Sequence, residues 1–256
     1  MGILQTAERS SHLDPSENVI FQRHLLAYKE AAKLISGDIL EIGSGEGYGI
    51  KELAPISENY IAIDKYKTVI QENDNSNIIF KQIEVPPLTG ILDNSIDYVV
   101  TFQVIEHIHN DRLFLSEIHR VLKPGGKLIL TTPNAKMSLT RNPWHIREYT
   151  PAQMETVIKN VFSLYDIKGV YGNEKVMEYY EKNKESVQKI TQWDIFNFQY
   201  LLPRWCLQIP YDILNRFNRQ RLQYNHQDVV NRIKHDDYYI DSPSDSSLDH
   251  FCIATK

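Results

Sequence analysis

An α/β fold built on a mostly parallel sheet is the architecture this chain encodes, and three observations point to it. Short β-branched runs alternate with longer amphipathic ones from residue 38 onward, the first such run ends in a cluster of glycines, and an apolar run closes the chain. Asp38-Ile-Leu-Glu-Ile42 reads as a buried strand, and a helix can start near Gly47 and run through Leu53 to Pro55. Asn59 to Asp64, Ile78 to Ile83 and Ile96 to Phe102 read as the next three strands, at a spacing that suits parallel neighbours joined by crossovers. Phe114, Ile118, Val121 and Leu122 recur at helical intervals until Lys123-Pro-Gly-Gly126 stops the helix and turns the chain into a fifth strand, Lys127 to Thr132. Thr150-Pro-Ala-Gln153 places an N-cap threonine, a first-turn proline and a capping-box glutamine at the start of another helix. Phe162 to Val170 and His250 to Thr255 complete the strands.

Two segments stand outside this rhythm. Residues 18 to 35 form an amphipathic helix expected to pack on the sheet. Residues 171 to 247 separate the last two strands and are rich in aromatic and aliphatic side chains from Trp193 through Phe196 to Phe217, with helices expected to break at Pro203 and Pro210. Asp236 to Ser247 reads as an exposed loop. The organisation expected is therefore one domain over 1–256: an N-terminal helical extension (1–37), a core (38–170), a helical insertion (171–247) and a final strand (248–256).

Composition narrows the function. A length of 256 residues is ample for one core, and 42% hydrophobic with 24% charged residues is an ordinary globular balance rather than a disordered one. A formal charge of −5 gives no global attraction to phosphates, so no nucleic-acid partner is expected. Two cysteines, Cys206 and Cys252, make no disulfide framework and fit a reducing compartment. The charged N-terminus lacks the apolar core of a signal peptide and no stretch approaches membrane-spanning length, so the expected location is cytoplasmic.

Chemistry concentrates in Ile39-Leu-Glu-Ile-Gly-Ser-Gly-Glu-Gly47, a strand running into three glycines at alternate positions. Such a turn lets a ligand approach the backbone without Cβ interference. Asp64 ends the next strand, 17 residues after Gly47, where a carboxylate can accept hydrogen bonds from both hydroxyls of a ribose. Glu46 inside the loop is poorly suited to cradling a pyrophosphate, which disfavours a dinucleotide and favours a nucleoside without phosphate.

With Glu41 to Gly47, Asp64, Asp93 to Val100 leading into Phe102-Gln-Val-Ile-Glu-His-Ile108, and Arg120 to Pro133 in order, the chain resembles the class I S-adenosylmethionine-dependent methyltransferases over roughly residues 37 to 134. It is most similar to the small-molecule branch that includes ubiquinone-type O-methyltransferases. The resemblance implies a Rossmann-like seven-stranded sheet whose last strand is antiparallel, which accounts for the apolar C-terminus, and S-adenosyl-L-methionine as cofactor. It implies that Gly43, Ser44, Gly45 and Gly47 line the methionine moiety and that Glu41 orients its amino group. Asp64, with Lys65 beside it, would meet the ribose, Ile83 or Glu84 the adenine, and Gln103 the sulfonium.

Methyl transfer is an in-line displacement in which the protein aligns two partners and excludes water. A hydroxyl acceptor gains from a general base, and His107 and His145 are the candidates. Trp144, Arg147 and Tyr149, in the same loop as His145, are candidate acceptor-binding residues. His12, His109 and His119 read as solvated, and no His, Asp or Glu spacing suggests a metal. The expected activity is methyl transfer to a small or carrier-bound acceptor, at oxygen. N- or C-methylation and a non-catalytic cofactor-binding scaffold are the alternatives. Between residues 203 and 235 six cationic residues face two acidic ones, so an acidic carrier protein or an anionic lipid surface is a possible partner.

Overall fold

The structure is a computed structural model and describes residues 14–67, 77–194 and 197–256. The charged N-terminus with His12, and Phe196, lie outside them. In chain order the elements are α1 (Asn18–Ala32), β1 (Asp38–Ile42), α2 (Ile50–Leu53), β2 (Asn59–Asp64), β3 (Ile78–Gln82), β4 (Ile96–Phe102), α3 (Asp111–Val121), β5 (Leu122–Pro133), α4 (Pro151–Lys159) and β6 (Leu164–Gly172). There follow α5 (Glu174–Thr191), α6 (Phe198–Leu201), α7 (Arg204–Asn225), α8 (Gln227–Val230), β7 (Tyr238–Asp241) and β8 (Asp249–Thr255).

The strands form one sheet in the order β3-β2-β1-β4-β5-β8-β6-β7. Neighbours from β3 through β5 are parallel, and β8 runs antiparallel between β5 and β6. The order reverses beside β1, so the C-terminal ends of β1, β2 and β4 open onto a common crevice. Core residues pack on both faces, one set with α1 and α5 and the other with α3 and α4. Thr150 caps α4 as its sequence predicts, with a reciprocal Gln153 bond.

The Rossmann-like class and the antiparallel closing strand are as the sequence predicts, but the sheet has eight strands rather than seven. The additional one, β7, lies within the segment expected to be a loop and pairs antiparallel with Gly169–Gly172. Its four residues alternate in burial, and the buried Tyr238 hydroxyl donates to the Val19 carbonyl at 2.8 Å, tying α1 to this edge. A second difference is that Pro210 lies inside α7 instead of ending a helix. Pro210 is exposed, so the carbonyl it leaves without an N–H partner can be hydrated, whereas the break at Pro203 does occur, just before α7. The first helix of the core is also short, because the chain stays in a glycine turn until Ile50. His109 is exposed, while His119 is half-buried and packs edge-on against Phe162 with centroids 5.3 Å apart.

Candidate active site

At the end of β1 the amides of Gly43 and Ser44 both donate to the Ile63 carbonyl, at 2.8 and 3.1 Å, bending the glycine turn over the end of β2. Gly43 has φ +83°, and a Cβ there would stand 2.3 Å from Val104 Cγ2, so only glycine lets the loops after β1 and β4 approach this closely. Gly45, at φ +55°, donates its amide to Asp64 Oδ2 at 2.8 Å, while Tyr66 N–H reaches Oδ1 at 2.8 Å. The buried Asp64 carboxylate therefore holds the glycine loop in shape through one oxygen and its own loop through the other.

These loops border a crevice of about 200 Å³. Of the residues the sequence singles out, Gly43, Ser44, Gly45, Asp64, Lys65, Ile83, Glu84, Gln103 and His107 line it. Gln103 does so from a left-handed backbone position, φ +58°, fixed by its amide bond to the Thr131 carbonyl at 2.9 Å. Two of the expected cofactor residues are not in the lining. Gly47, at φ +79°, closes the turn by donating its amide to the Ser44 carbonyl at 2.8 Å, and Glu41 is buried, accepting from the Tyr28 hydroxyl at 2.6 Å and the Tyr60 hydroxyl at 2.7 Å. Burial raises the Glu41 pKa, opposed by those two hydrogen bonds and reinforced by the charge of Asp64.

α1 supplies a wall that sequence reasoning missed. His24 and Tyr28 of α1 line the crevice beside Tyr48 of the glycine turn, with His24 Nδ1 3.2 Å from the Tyr48 hydroxyl and Tyr28 edge-on to Phe102 and Tyr48 at 4.7 and 5.6 Å. Burial first, then the charges of Arg23 and Arg219, lower the His24 pKa to about 3. The available signal was a histidine and a tyrosine four residues apart on the inner face of an amphipathic helix.

The two candidate histidines meet edge to face, ring centroids 4.9 Å apart, although 38 residues separate them in the chain. His107 Nδ1 lies 3.1 Å from the Trp144 carbonyl, an acceptor only, so the proton sits on Nδ1 and the lone pair on Nε2. Burial and the neighbouring His145 lower the His107 pKa to about 4. His145 has Nδ1 2.6 Å from Glu148 Oε1 and Nε2 2.8 Å from Asn142 Nδ2. Burial pushes Glu148 up, yet the hydrogen bonds from His145 and Ser138 prevail and hold it below its ordinary value. Beneath them Glu106 is buried, accepts from Thr132 Oγ1 at 2.9 Å, and is pushed by burial to about 7 against the opposing influence of His145. Glu106, His107 and His145 bring ligand-type atoms within 4.8 Å of one another, a grouping the spacing in sequence did not suggest.

The crevice suits a nucleoside-bearing cofactor on structural grounds. Ser44 Oγ is buried and has no protein partner, the space around Gly45 is open, and an acid stands at the end of β2. A family model described as a methyltransferase domain matches residues 40–130. A probable S-adenosylmethionine-dependent methyltransferase of Mycolicibacterium smegmatis is 33% identical over 177 residues, 65% of this chain and 68% of that protein. The chain belongs to the S-adenosylmethionine-dependent methyltransferases.

A second relative carrying that description, from Mycobacterium tuberculosis, is 34% identical over 60% of this chain and 58% of its own length, so this methyltransferase spans under two thirds of it. A ubiquinone biosynthesis O-methyltransferase of Rickettsia typhi is 30% identical over 45% of this chain and 47% of that protein. Among solved structures, the YcgJ protein of Bacillus subtilis superposes with a TM-score of 0.53 at 17% identity, covering 93% of this chain and 98% of its own, a likeness of fold. S-adenosylmethionine is the cofactor, and it supplies a methyl group on a sulfonium whose departure leaves a neutral thioether. In this methyltransferase Ser44 and the glycine-loop amides would hold its amino-acid part and Asp64 its ribose.

The rest of the His145 loop does other work. Arg147 Nη1 pairs with Asp111 Oδ2, Arg147 Nη2 donates to the His109 carbonyl at 2.9 Å, and the buried Tyr149 hydroxyl donates to Asp111 Oδ2 at 3.0 Å. Both side chains thus pin the loop to the start of α3, outside the crevice lining. Trp144 Nε1 donates to Asp212 Oδ1 at 2.9 Å and ties the loop to α7. Asp111 and Asp212 lie far from these residues in sequence, which hid the partners. His145 instead borders a second cavity of about 240 Å³, between the sheet, α1, α5 and α7, whose lining includes Arg23, Asn134, Glu148, Tyr211 and Arg219.

Proposed function

We propose that this methyltransferase transfers its methyl group to an oxygen of a small or carrier-bound acceptor, with His107 as the general base. The observation that carries this reading is the fixed tautomer of His107: the Trp144 carbonyl holds the proton on Nδ1, and the crevice-lining ring keeps a lone pair on Nε2. Its pKa of about 4 keeps the ring neutral near pH 7, so it takes a proton only as the hydroxyl oxygen acquires positive character during attack. His145 acts on it indirectly. Both nitrogens of His145 are engaged by Glu148 and Asn142, so its ring is held as an edge-on support for His107. The second cavity then receives the acceptor, since His145 is shared between its wall and the histidine pair.

The relationship to the ubiquinone biosynthesis O-methyltransferase of Rickettsia typhi supports oxygen as the acceptor atom. The two free cysteines support a cytoplasmic setting. The test is methyl transfer from labelled cofactor to matched phenol, alcohol, amine and activated-methylene acceptors, with wild type and His107→Ala side by side. Labelled ether products that fall with His107→Ala are expected. Labelled amine or carbon products in their place overturn the assignment of oxygen.

A further inference from the structure

Exposed apolar side chains are not spread evenly over this molecule. Of 19 exposed large hydrophobic residues among those described, 11 fall between Trp193 and Tyr224. On α7, Trp205, Ile209, Ile213 and Phe217 are 74, 72, 64 and 59% exposed, and their spacing of four places them along one side of the helix. Trp193, Tyr200 and Leu201, in the chain before the helix, are exposed as well. An exposed apolar row of this length on one helix marks an interaction site.

Charge decides the occupant. The 22 residues of α7 carry four arginines and one acid; Asp212 is turned inward to Trp144, Arg204 to the Ile146 carbonyl and Arg219 to Glu17. Arg216 and Arg221 are exposed beside the apolar stripe. A second copy docking stripe to stripe would bring these two exposed arginines against their counterparts, whereas an anionic lipid surface complements them and accepts the apolar row. Two exposed tryptophans and tyrosines at the edge of an apolar face suit the headgroup boundary of a bilayer. No helix among the described residues is long and apolar enough to cross a membrane, so the contact is interfacial. A third cavity, about 280 Å³ and lined by Ile190, Phe198, Leu207 and Leu214, lies between α5 and α7 behind this face. It shares Tyr211 and Asn218 with the cavity assigned to the acceptor.

We propose that the exposed apolar face of α6 and α7 seats this enzyme on an anionic lipid bilayer, placing the α5–α7 cavity against the membrane. The proposal is independent of which atom is methylated. The experiment is co-sedimentation of the full chain with phosphatidylcholine vesicles containing 30 mol% phosphatidylglycerol, about 30 mol% being ample to set a negative surface potential. The variant Ile209→Glu/Ile213→Glu is run beside wild type, with light scattering for oligomeric state and titration with S-adenosylhomocysteine for an intact cofactor crevice. Wild type is expected to sediment with these vesicles more strongly than with pure phosphatidylcholine. The variant should lose about tenfold or more in partitioning while binding S-adenosylhomocysteine as wild type does. Wild type that stays in the supernatant, a variant that sediments equally well, or a wild-type dimer that the variant dissolves would each overturn the proposal. None of these results bears on methyl transfer, which the cofactor titration and acceptor assay report separately.

Discussion

The glycine crest over β1 and β2 and the α6–α7 face are opposite solutions to what a surface is for. At the crest nearly every polar group is committed inward: Asp64 holds two amides, Gly43 and Ser44 hang from one carbonyl, and Glu41 is clasped by two tyrosines. On α7 Trp205, Ile209, Ile213 and Phe217 point outward and only Asn218 and Leu222 are fully buried. A region that binds a small polar molecule needs a rigid frame with few conformations, so substitutions there propagate. The outward row of α7 has no such role in the frame, which the opposite side of the helix serves through Arg204, Asp212, Asn218 and Arg219, so substitutions on that row leave folding alone.

Five substitutions sharpen this contrast, in falling order of effect. Gly43→Ala forces a Cβ to within 2.3 Å of Val104 at a left-handed backbone position, and should cost about 3 kcal/mol of stability and abolish detectable binding of S-adenosylhomocysteine, read by thermal melting and calorimetry. Binding close to that of wild type would show that the two loops move apart freely. His107→Ala should lower kcat about 100-fold with cofactor affinity unchanged, in single-turnover assays with whichever acceptor is found. Asp64→Ala should weaken S-adenosylhomocysteine about tenfold or more, because the ribose loses a charged acceptor and the Gly45 amide loses its anchor.

Glu106→Gln tests the buried floor by pH. Burial raises Glu106 from 4.5 to about 7, so between those values the folded chain keeps a proton that the unfolded chain has released. The resulting stabilisation is fully present below the unfolded value and is lost as pH climbs through about 7. The glutamine has no such window, so the variant should gain a few degrees of Tm relative to wild type on going from pH 5 to pH 8. His107 works in the opposite sense. Its pKa of about 4 means that stability from this ring is present above its ordinary 6.5 and lost as pH falls through 4. At the bottom of the scale, Ile213→Ser on the exposed face should change stability by no more than about 0.5 kcal/mol in urea unfolding. A larger loss would mean that α7 is held by that row rather than presenting it.

Much of the crest was legible because its constraints are local. Positive φ angles demand glycines, a buried strand demands β-branched residues, and an acid at the end of the next strand sits within a fixed reach of the turn. Gly43, Ser44, Gly45 and Asp64 line the crevice for that reason, while Gln103, named through the family resemblance, lines it from a left-handed position that no glycine marks. Glu41 was found without its protein partners, since the packing of α1 brings the Tyr28 hydroxyl to it and the neighbouring strand β2 brings that of Tyr60. Strand β7 escaped because four residues among serines and aspartates carry too little periodic signal.

By itself the sequence determined the α/β order and most of the residues that line the crevice, because each follows from chain geometry over a few residues, while the family resemblance gave the cofactor class. Only the tertiary structure decided that His107 and His145 form one pair, that Arg147 and Tyr149 brace α3 through Asp111, and that the apolar side of α7 faces outward. Those facts depend on contacts between residues tens of positions apart. Side-chain type limits such contacts, but the packing of whole elements selects among them.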